Sequence, residues 1–558
     1  MLKGEKPEPF VLGYPFALLT SFLFVSALYF AFGIYWEESM KIPPAIIYGS
    51  ITAPPYQAWF NESFLFQPPI FGFLSAHIQS IPVLGLWHFS LIIFYTSAFL
   101  HLSIRLVYRM VPNRPVFVTF LSLLLTSTFI SSSLIYIHLG REAILIISMS
   151  LLLFFDYYQS DNKKPAALIF AFLIGCLMRV SLGLFVLVAV SLLVFMHTRD
   201  LRKTVLLFRF HWLVALMCFS IVLAYKFNSD NPAVVIEQNY EYALMDRGAV
   251  VPLSAMKSAG DSIRYEALTQ YFLISDSAQI NLGFIKQVVD DKRFLKFGIS
   301  SDDWDHLLES LLPFLKTKGV NILLMYLLLG IIVGGRKRAW FNLLLFHAFC
   351  WMVVVGLSMK ISMYERFMLP WLAMMLIGSL LVISFEAGIF LYRMQRYSIL
   401  LILLFTTSET LNQMHTASIE EKKYDDKAQS YLKKIGAASV AQTPFIWDYT
   451  QVCFPSGVFA RNELKVFEKS IYETSFFTPY FRFGQERCLE KFGFSPLDWR
   501  SMGQVLTKRK AEVCFIMSDK MAEFLPRYFK SIYNIDFVLI KDNPRNEVMP
   551  GVFIFHLQ

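Results

Sequence analysis

A small set of carboxylates and guanidinium groups lies beside long apolar runs in this chain: the adjacent pair Glu37-Glu38, the pair Arg141-Glu142, Arg179, and the pair Glu365-Arg366. A carboxylate can take a proton from a hydroxyl or an amine. An arginine presents a planar fork that holds a phosphate through two parallel hydrogen bonds. Together these groups suit a site that grips an anionic phosphate while deprotonating a nucleophile. Taken singly, each also fits a helix-end side chain reaching out to water. Adjacency turns Glu37 and Glu38 to different sides of a helix or strand, so only one of the two is expected to act directly.

The Glu pair opens a segment that follows the first apolar run and closes, about thirty residues on, at Gln67-Pro68-Pro69. Acids at the mouth of a membrane helix are costly, about 2.5–3.5 kcal/mol each at the bilayer centre and less at the interface, so they face water, a partner or a substrate. The prolines and aromatics between them (Pro43, Pro44, Pro54, Pro55, Trp36, Tyr56, Trp59 and Phe60) read first as a stiff loop with interfacial anchors, and alternatively as an aromatic lining for a sugar.

The elements that must position these residues are membrane helices. The chain has 558 residues, 56% of them hydrophobic and 16% aromatic, with a mean hydropathy of +0.49. That is too apolar for a soluble globular protein. Apolar runs of about 18 residues recur, predicting an α-helical polytopic membrane protein with about eleven spans. The net charge of +9 could suggest nucleic acid, but the basic residues form short clusters between apolar runs, at Arg105/Arg109/Arg114, Lys163/Lys164, Arg199/Arg202/Lys203, Arg336-Lys337-Arg338 and Arg393/Arg396. Such clusters mark cytoplasmic loops and exclude a nucleic-acid partner from the reading. The chain carries no Walker loop, Gly-rich dinucleotide fingerprint or zinc-type Cys/His spacing. The N-terminus is placed in the cytoplasm, with the first apolar run retained as a helix, and the C-terminus outside. On this topology Glu37, Glu38, Arg141, Glu142, Arg179, Glu365 and Arg366 all fall near the outer face.

A first helix, then a large outer loop opening with acids and closing on Pro-Pro before the second helix, resembles the GT-C class of membrane glycosyltransferases, which includes protein O-mannosyltransferases, aminoarabinose transferases and bacterial relatives. Glu365-Arg366-Phe367-Met368-Leu369-Pro370 is similar to the late Arg-Tyr-x-x-Pro-like element of that class, and Arg141-Glu142 stands where relatives also carry charge. Two positions depart from the pattern: Glu replaces the more usual Asp, and Gln67 replaces His. The resemblance covers about residues 10–410 in layout. It implies an integral protein of a bacterial inner or plasma membrane, acting on a polyprenyl-phosphate sugar donor that enters from the membrane lipids. The acceptor, a glycan, lipid or protein, would come from the outer side. Glu37 or Glu38 would be the base, and Arg366, Arg141 and Arg179 would hold the donor phosphate, with Gln67, Glu142 and Glu365 in support. Some relatives use a divalent cation, for which this sequence offers no decisive ligand set.

Residues 1–412 thus read as the transmembrane glycosyltransferase-like domain, with outer loops at about 36–81 and 228–319. The second loop is too long for a mere connector. Its acidic cluster Asp302-Asp303-Trp304-Asp305-His306 lacks the spaced oxygens of a calcium loop and fits a solvated helix start. Residues 413–558 change to a polar, mixed-charge composition without a span. Strands over 512–517, 536–540 and 552–557, with an amphipathic helix over 518–533, predict a small extracytoplasmic α/β domain. It holds Cys453, Cys488 and Cys514, while Cys176, Cys218 and Cys350 fall in membrane helices, so one disulfide is allowed and its pairing stays open. Two rival readings use the same residues: a transporter or flippase that binds without chemistry, and a non-catalytic membrane scaffold.

Overall fold

The computed structural model describes residues 13–36, 81–137, 139–161, 165–227, 250–271, 276, 278–289, 301–334, 336–358, 365–385, 391–438, 445–447, 499–508, 514–541 and 551–558. In chain order the elements are α1 (Tyr14–Phe32), β1 (Tyr35–Trp36), α2 (Ile81–Met110), α3 (Pro115–Leu134), β2 (Tyr136–Ile137), α4 (Leu139–Asp161), α5 (Ala166–Met178), α6 (Val180–Thr198), α7 (Leu201–Leu207) and α8 (Arg209–Phe227). Then come α9 (Ala259–Tyr271), α10 (Leu282–Val288), α11 (Ser301–Val333), α12 (Lys337–Ser358), α13 (Glu365–Ser384) and α14 (Arg393–Ala438). The chain ends with β3 (Phe445–Trp447), α15 (Trp499–Lys508), β4 (Cys514–Ser518), α16 (Asp519–Tyr533), β5 (Leu539–Lys541) and β6 (Val552–Leu557). They form two compact units. One draws on Met1–Glu37, Leu86–Val222 and Ile299–Glu421, the other on Glu38–Gly85, Leu223–Gly298 and Lys422–Gln558, as far as these ranges are described.

The first unit is helical. Tyr14–Phe32, Leu86–Met110, Gly140–Ser160, Ala339–Gly356 and Phe367–Ser384 are each long and apolar enough to cross a bilayer. Counting the bent pairs Leu201–Leu207 with Arg209–Ile221 (64°) and Leu307–Lys316 with Lys318–Val333 (71°) as single spans gives seven among the described residues, against about eleven expected from the sequence. Pro313, inside α11 one turn before its bend, removes a backbone donor and loosens the ladder there. The apolar helices Pro115–Ser131, Ala166–Met178 and Leu182–Thr198 are shorter. At 1.5 Å per residue α5 extends only about 20 Å, against a hydrocarbon core of about 30 Å.

Helix α4 is the axis of this unit, with Ala143 to Phe155 almost wholly buried. Two glycines allow its close neighbours. A Cβ on Gly175 of α5 would overlap the Ile147 side chain and lie 3.4 Å from the Ala143 carbonyl, and one on Gly183 of α6 would lie 2.7 Å from Cys176 Sγ. Small residues at such crossings let helix backbones approach in lipid, where packing rather than water drives association.

The basic clusters meet at one end of the unit. Asp156 on α4, 0% exposed, accepts from Arg105 Nε at 2.5 Å and from Arg109 Nη2 at 2.5 Å. Arg109 also donates to Ser160 on α4 and Ser384 on α13. The Leu391 amide donates to the Met110 carbonyl, Gln395 Nε2 to the Ile331 carbonyl, and Arg199 Nη2 to Asn342 Oδ1. The ends of α2, α4, α13, α11 and α6 and the starts of α12 and α14 are thereby tied together. Arg105 and Arg109, legible only as loop charges, are therefore structural ion-pair partners as well.

The sequence ends the last apolar run near Leu411, whereas α14 continues unbroken to Ala438. Its start is tied to Met110 at the basic end, and Ser418 Oγ lies 3.5 Å from the Tyr35 hydroxyl at the other. Twenty-five residues of α-helix from Arg393 to Ser418 rise about 37 Å, more than the hydrocarbon thickness.

The second unit is α/β. The sheet order is β3-β4-β6-β5, with β3 parallel to β4 and the other pairs antiparallel. β4, α16 and β6 lie where the periodicity predicts them, while β3 adds an edge strand from farther upstream. Ser518 caps α16 by accepting from the Met521 amide, and Asn534 ends it in the left-handed conformation at φ 55°. The core joins Trp499, Phe515, Phe524, Tyr528 and Phe529 to Leu268, Ile280, Phe284 and Val288 from the 228–319 loop. Asp276 of that loop is wholly buried and accepts from the hydroxyls of Tyr528 (2.7 Å) and Tyr533 (2.6 Å). Burial, with the Asp276 carboxylate alongside, pushes the Tyr528 phenol far above its ordinary range. The long loop is thus part of the folded core, and the acidic cluster at 302–306 falls at the start of α11 as expected.

Candidate functional site

Helix lengths place the predicted charges at one depth. Arg109 fastens Ser160 of α4 to Ser384 of α13 at the basic end. Counting back, Arg141 lies 19 residues from Ser160 and Arg366 lies 18 from Ser384, rises of about 28 and 27 Å. Both therefore sit at the opposite end of the unit.

That end is organised by two strands of two residues each. β1 and β2 pair in parallel, Tyr35 with Tyr136 and Trp36 with Ile137, and the Tyr35 amide donates to the Ile135 carbonyl at 2.7 Å. Such short strands carry no periodicity and join segments about 100 residues apart, so the sequence gives no sign of them. β1 ends at Trp36, the residue before Glu37. Glu37, Glu38 and Gln67 themselves lie outside the described residues.

β2 leads into α4, whose first turn carries Arg141 and Glu142. Both are buried, at 4% and 1% exposure. Arg141 Nη1 donates to the Tyr136 carbonyl at 2.9 Å, tying the guanidinium to β2. Glu142 Oε2 is 2.8 Å from His88 Nδ1 of α2, which is 1% exposed. Glu142 Oε1 is buried with no hydrogen-bond partner among the described residues. Tyr95, one helical layer deeper on α2 and 1% exposed, lies within electrostatic reach of both Arg141 and Glu142. A carboxylate, an imidazole, a phenol and a guanidinium thus share one buried cluster. His88 is absent from the sequence reading because a lone histidine in an apolar run has no pattern to mark it.

Arg179 stands at the break between α5 and α6, one turn beyond Gly175, where α5 touches the Ala143 carbonyl. It belongs to the same end of α4 as Glu142. Glu365 and Arg366 form the first turn of α13, with their side chains outside the described set. The sequence suggests that Pro370 opens this helix, but the helix starts five residues earlier and Pro370 lies inside it. Lacking an N–H, Pro370 leaves the Arg366 carbonyl without its intrahelical donor, a bare acceptor at this end.

A further cation was hidden at the edge of an apolar run. Lys318 of α11, 8% exposed, donates to Gln413 Oε1 of α14 at 2.6 Å, and Gln413 Nε2 donates to Glu409 Oε1 at 3.0 Å. Lys318 lines a cavity of about 20 Å³ with Thr128, Asn321, Met325, Leu369 and Leu372. Leu369 is one turn along α13 from Arg366. Among the described residues no three His, Cys, Asp or Glu side chains are grouped to hold a metal ion.

No protein-family model matches the chain, and no curated protein matches it in sequence. Among solved structures it is similar to the crystal structure of ArnT from Cupriavidus metallidurans bound to undecaprenyl phosphate, with a TM-score of 0.47 and 11% identity over 98% of each chain.

Proposed function

We propose that this chain transfers a glycosyl group from a lipid-phosphate-linked donor to an acceptor at the outer face of the membrane. The observation that carries the reading is the buried Arg141–Glu142–His88 cluster, tied by β2 to the strand that leads directly into Glu37. Glu37 or Glu38 is the base: it takes the proton of the acceptor hydroxyl or amine as the acceptor attacks the anomeric carbon. The bond from that carbon to the phosphate oxygen then breaks, and the lipid phosphate leaves with the electron pair. Arg366, Arg141 and Arg179 are the groups that stabilise the departing charge, and Lys318 joins them at the same depth. His88 holds Glu142 in place through its Nδ1, and Gln67 and Glu365 support the rim. A transporter or a scaffold would need the same lipid-facing helices but no base.

The topology belongs to the same proposal: eleven crossings, with the N-terminus cytoplasmic and the C-terminus external. Residues 250–289 and 499–558 share one core, so they lie on one side of the membrane and an even number of crossings separates them. Helices α11 to α14 supply four. The basic end then faces the cytoplasm, as its clustered Arg and Lys require.

The test is the Glu37→Gln/Glu38→Gln double variant in a donor-dependent transfer assay. Turnover should fall by about 10²–10⁴-fold while donor-lipid binding persists. Full turnover would remove the base, and loss of donor binding alone would favour a carrier. Arg366→Lys distinguishes a phosphate clamp from a headgroup contact. A clamp needs the planar fork and loses turnover with Lys, whereas a headgroup contact needs only the charge.

A further inference from the structure

At the end of the membrane unit opposite the proposed active site, Arg114, Arg202, Arg209 and Arg393 are exposed and have no carboxylate partner among the described residues, and Arg114 and Arg393 belong to the adjacent helices α3 and α14. Most of the other guanidiniums there are committed: Arg105 and Arg109 to Asp156, Arg199 to Asn342, Arg336 to the Val333 carbonyl, and Arg396 to the Leu391 carbonyl. Arg114, at the start of α3, is exposed and has no hydrogen-bond or carboxylate partner among the described residues. Arg393, at the start of α14, is also exposed, and its guanidinium lies over the Tyr397 ring, 5.7 Å from the ring centre. Thr128 of α3 and Thr407 of α14 are hydrogen-bonded at 3.0 Å, and each lies about four turns beyond Arg114 and Arg393 respectively, so the two cations stand at one level of adjacent helices. The acids described near this end are occupied: Asp156 holds two arginines, and Asp200 accepts from the Lys203 amide.

Beside Arg114 runs an open groove of about 440 Å³ lined by Pro115, Val116, Phe117 and Phe120. Val116 is 83% and Phe120 46% exposed. An apolar furrow on the lipid-facing side of a membrane helix, headed by two uncompensated cations and a phenol, matches a molecule with an acyl chain and a net negative headgroup. A zwitterionic headgroup brings its own ammonium against the arginines and fits less well. We propose that Arg114, Arg393 and Tyr397 form a binding site for an anionic phospholipid, its phosphate between the two guanidiniums and one acyl chain along Val116 and Phe120. Basic pockets at the cytoplasmic ends of membrane helices take such headgroups by the same charge match.

The experiment is native mass spectrometry of the full-length protein released from mixed micelles holding phosphatidylglycerol and phosphatidylcholine with identical acyl chains. The parent should retain phosphatidylglycerol in preference by about thirtyfold, the size expected of two juxtamembrane cations. Arg114→Ala/Arg393→Ala should bring the two lipids to parity, and Arg114→Lys/Arg393→Lys should keep most of the preference. Neither arginine is buried, so both variants fold, and their elution profile checks this. Arg202→Ala removes an exposed cation of the same end away from the groove and should leave the preference intact. Equal retention of both lipids by the parent overturns the proposal, as does a preference that survives the double alanine change. An equal loss with Arg202→Ala would show diffuse charge rather than a site and overturns it too. Competition by inorganic phosphate without loss of the acyl-chain requirement supports the headgroup placement, and phosphate binding with no lipid retention refutes it.

Discussion

The two units solve opposite problems with the same kinds of side chain. The membrane unit has apolar surface to spare, so its specificity comes from polar groups placed inside it. Asp156 locks α4 to α2 through two arginines, one of which also reaches Ser384 of α13, and His347 links Tyr326 to Ser379 across α11, α12 and α13. The α/β unit has a small core, so its specificity comes from aromatic packing: Trp499 stacks on Phe529 at 5.6 Å, and Phe537, Tyr528 and Tyr533 close around it. Asp276, its one buried acid among the described residues, serves to stitch the long loop to α16. The difference teaches where each unit is brittle. A polar pair broken inside the membrane unit strands a charge, whereas the α/β unit loses only packing or a neutral donor.

The largest effect should therefore come from Asp156→Ala. It leaves Arg105 and Arg109 facing a low-dielectric interior, a loss of about 3–5 kcal/mol for a buried pair broken on one side. Thermal unfolding of the detergent-purified protein should show it as a lower midpoint. Asp156→Leu combined with Arg105→Met should cost less than Asp156→Ala alone, because the remaining Arg109 is partly exposed and can reach the headgroups. If the double change is the worse of the two, the ion pair is not what holds this end.

A smaller effect is expected in the α/β unit. Tyr533→Phe removes one of the donors to Asp276 while Tyr528 keeps its own, so about 1.5–3 kcal/mol should be lost, the range for hydrogen bonds to charged groups. Hydrogen exchange resolved by segment is the sharper readout. Protection should fall in 259–271 and 514–541 together, since both lie in one core, and stay unchanged in 140–160. Uniform loss across all three would mean that the units unfold as one.

What the sequence disclosed depended on whether a feature is periodic. Apolar runs, the basic clusters between them, and the strand–helix–strand rhythm of 514–557 are all repeated signals: the mostly helical membrane unit and the elements β4, α16 and β6 stand where they were expected, while five to seven of the described helices, against about eleven expected, are long and apolar enough to span. The pieces that assemble the candidate site, and separately the acid that ties the long loop into the α/β core, are not periodic. β1 and β2 are two residues each, His88 and Lys318 are single polar residues at or within apolar runs, and Asp276 is one acid in a polar loop. Their partners lie from 54 to 257 positions away for the ion pairs and hydrogen bonds involved, and no local pattern encodes such distances. Pro370 misled in the other direction. Proline suits a helix start, so the sequence favoured that place for it, yet α13 begins at Glu365 and tolerates the proline inside because a neighbour-packed membrane helix can absorb one lost donor.

The smallest effect tests whether even the surface of the α/β unit uses charge as the membrane unit does. Ser258 caps α9: its Oγ accepts from the Asp261 amide at 3.0 Å and donates to Asp261 Oδ2 at 2.7 Å. That hydrogen bond, and then the nearby Arg264 guanidinium, hold the Asp261 carboxyl below its ordinary range. A carboxyl depressed in the folded state stabilises at pH values above its unfolded value, about 3.9. The contribution disappears as pH falls through the folded value, where Asp261 takes up its proton. Ser258→Ala should cost about 1 kcal/mol at neutral pH, the usual worth of a serine cap. The gap between variant and parent should narrow below pH 4, because the parent then loses the ionised acceptor that the serine was holding. Exchange protection of 259–271 measured at pH 7 and pH 3.5 reads this directly. A gap that stays the same at both pH values would show that the cap acts through its backbone bond alone, with no part played by the Asp261 charge.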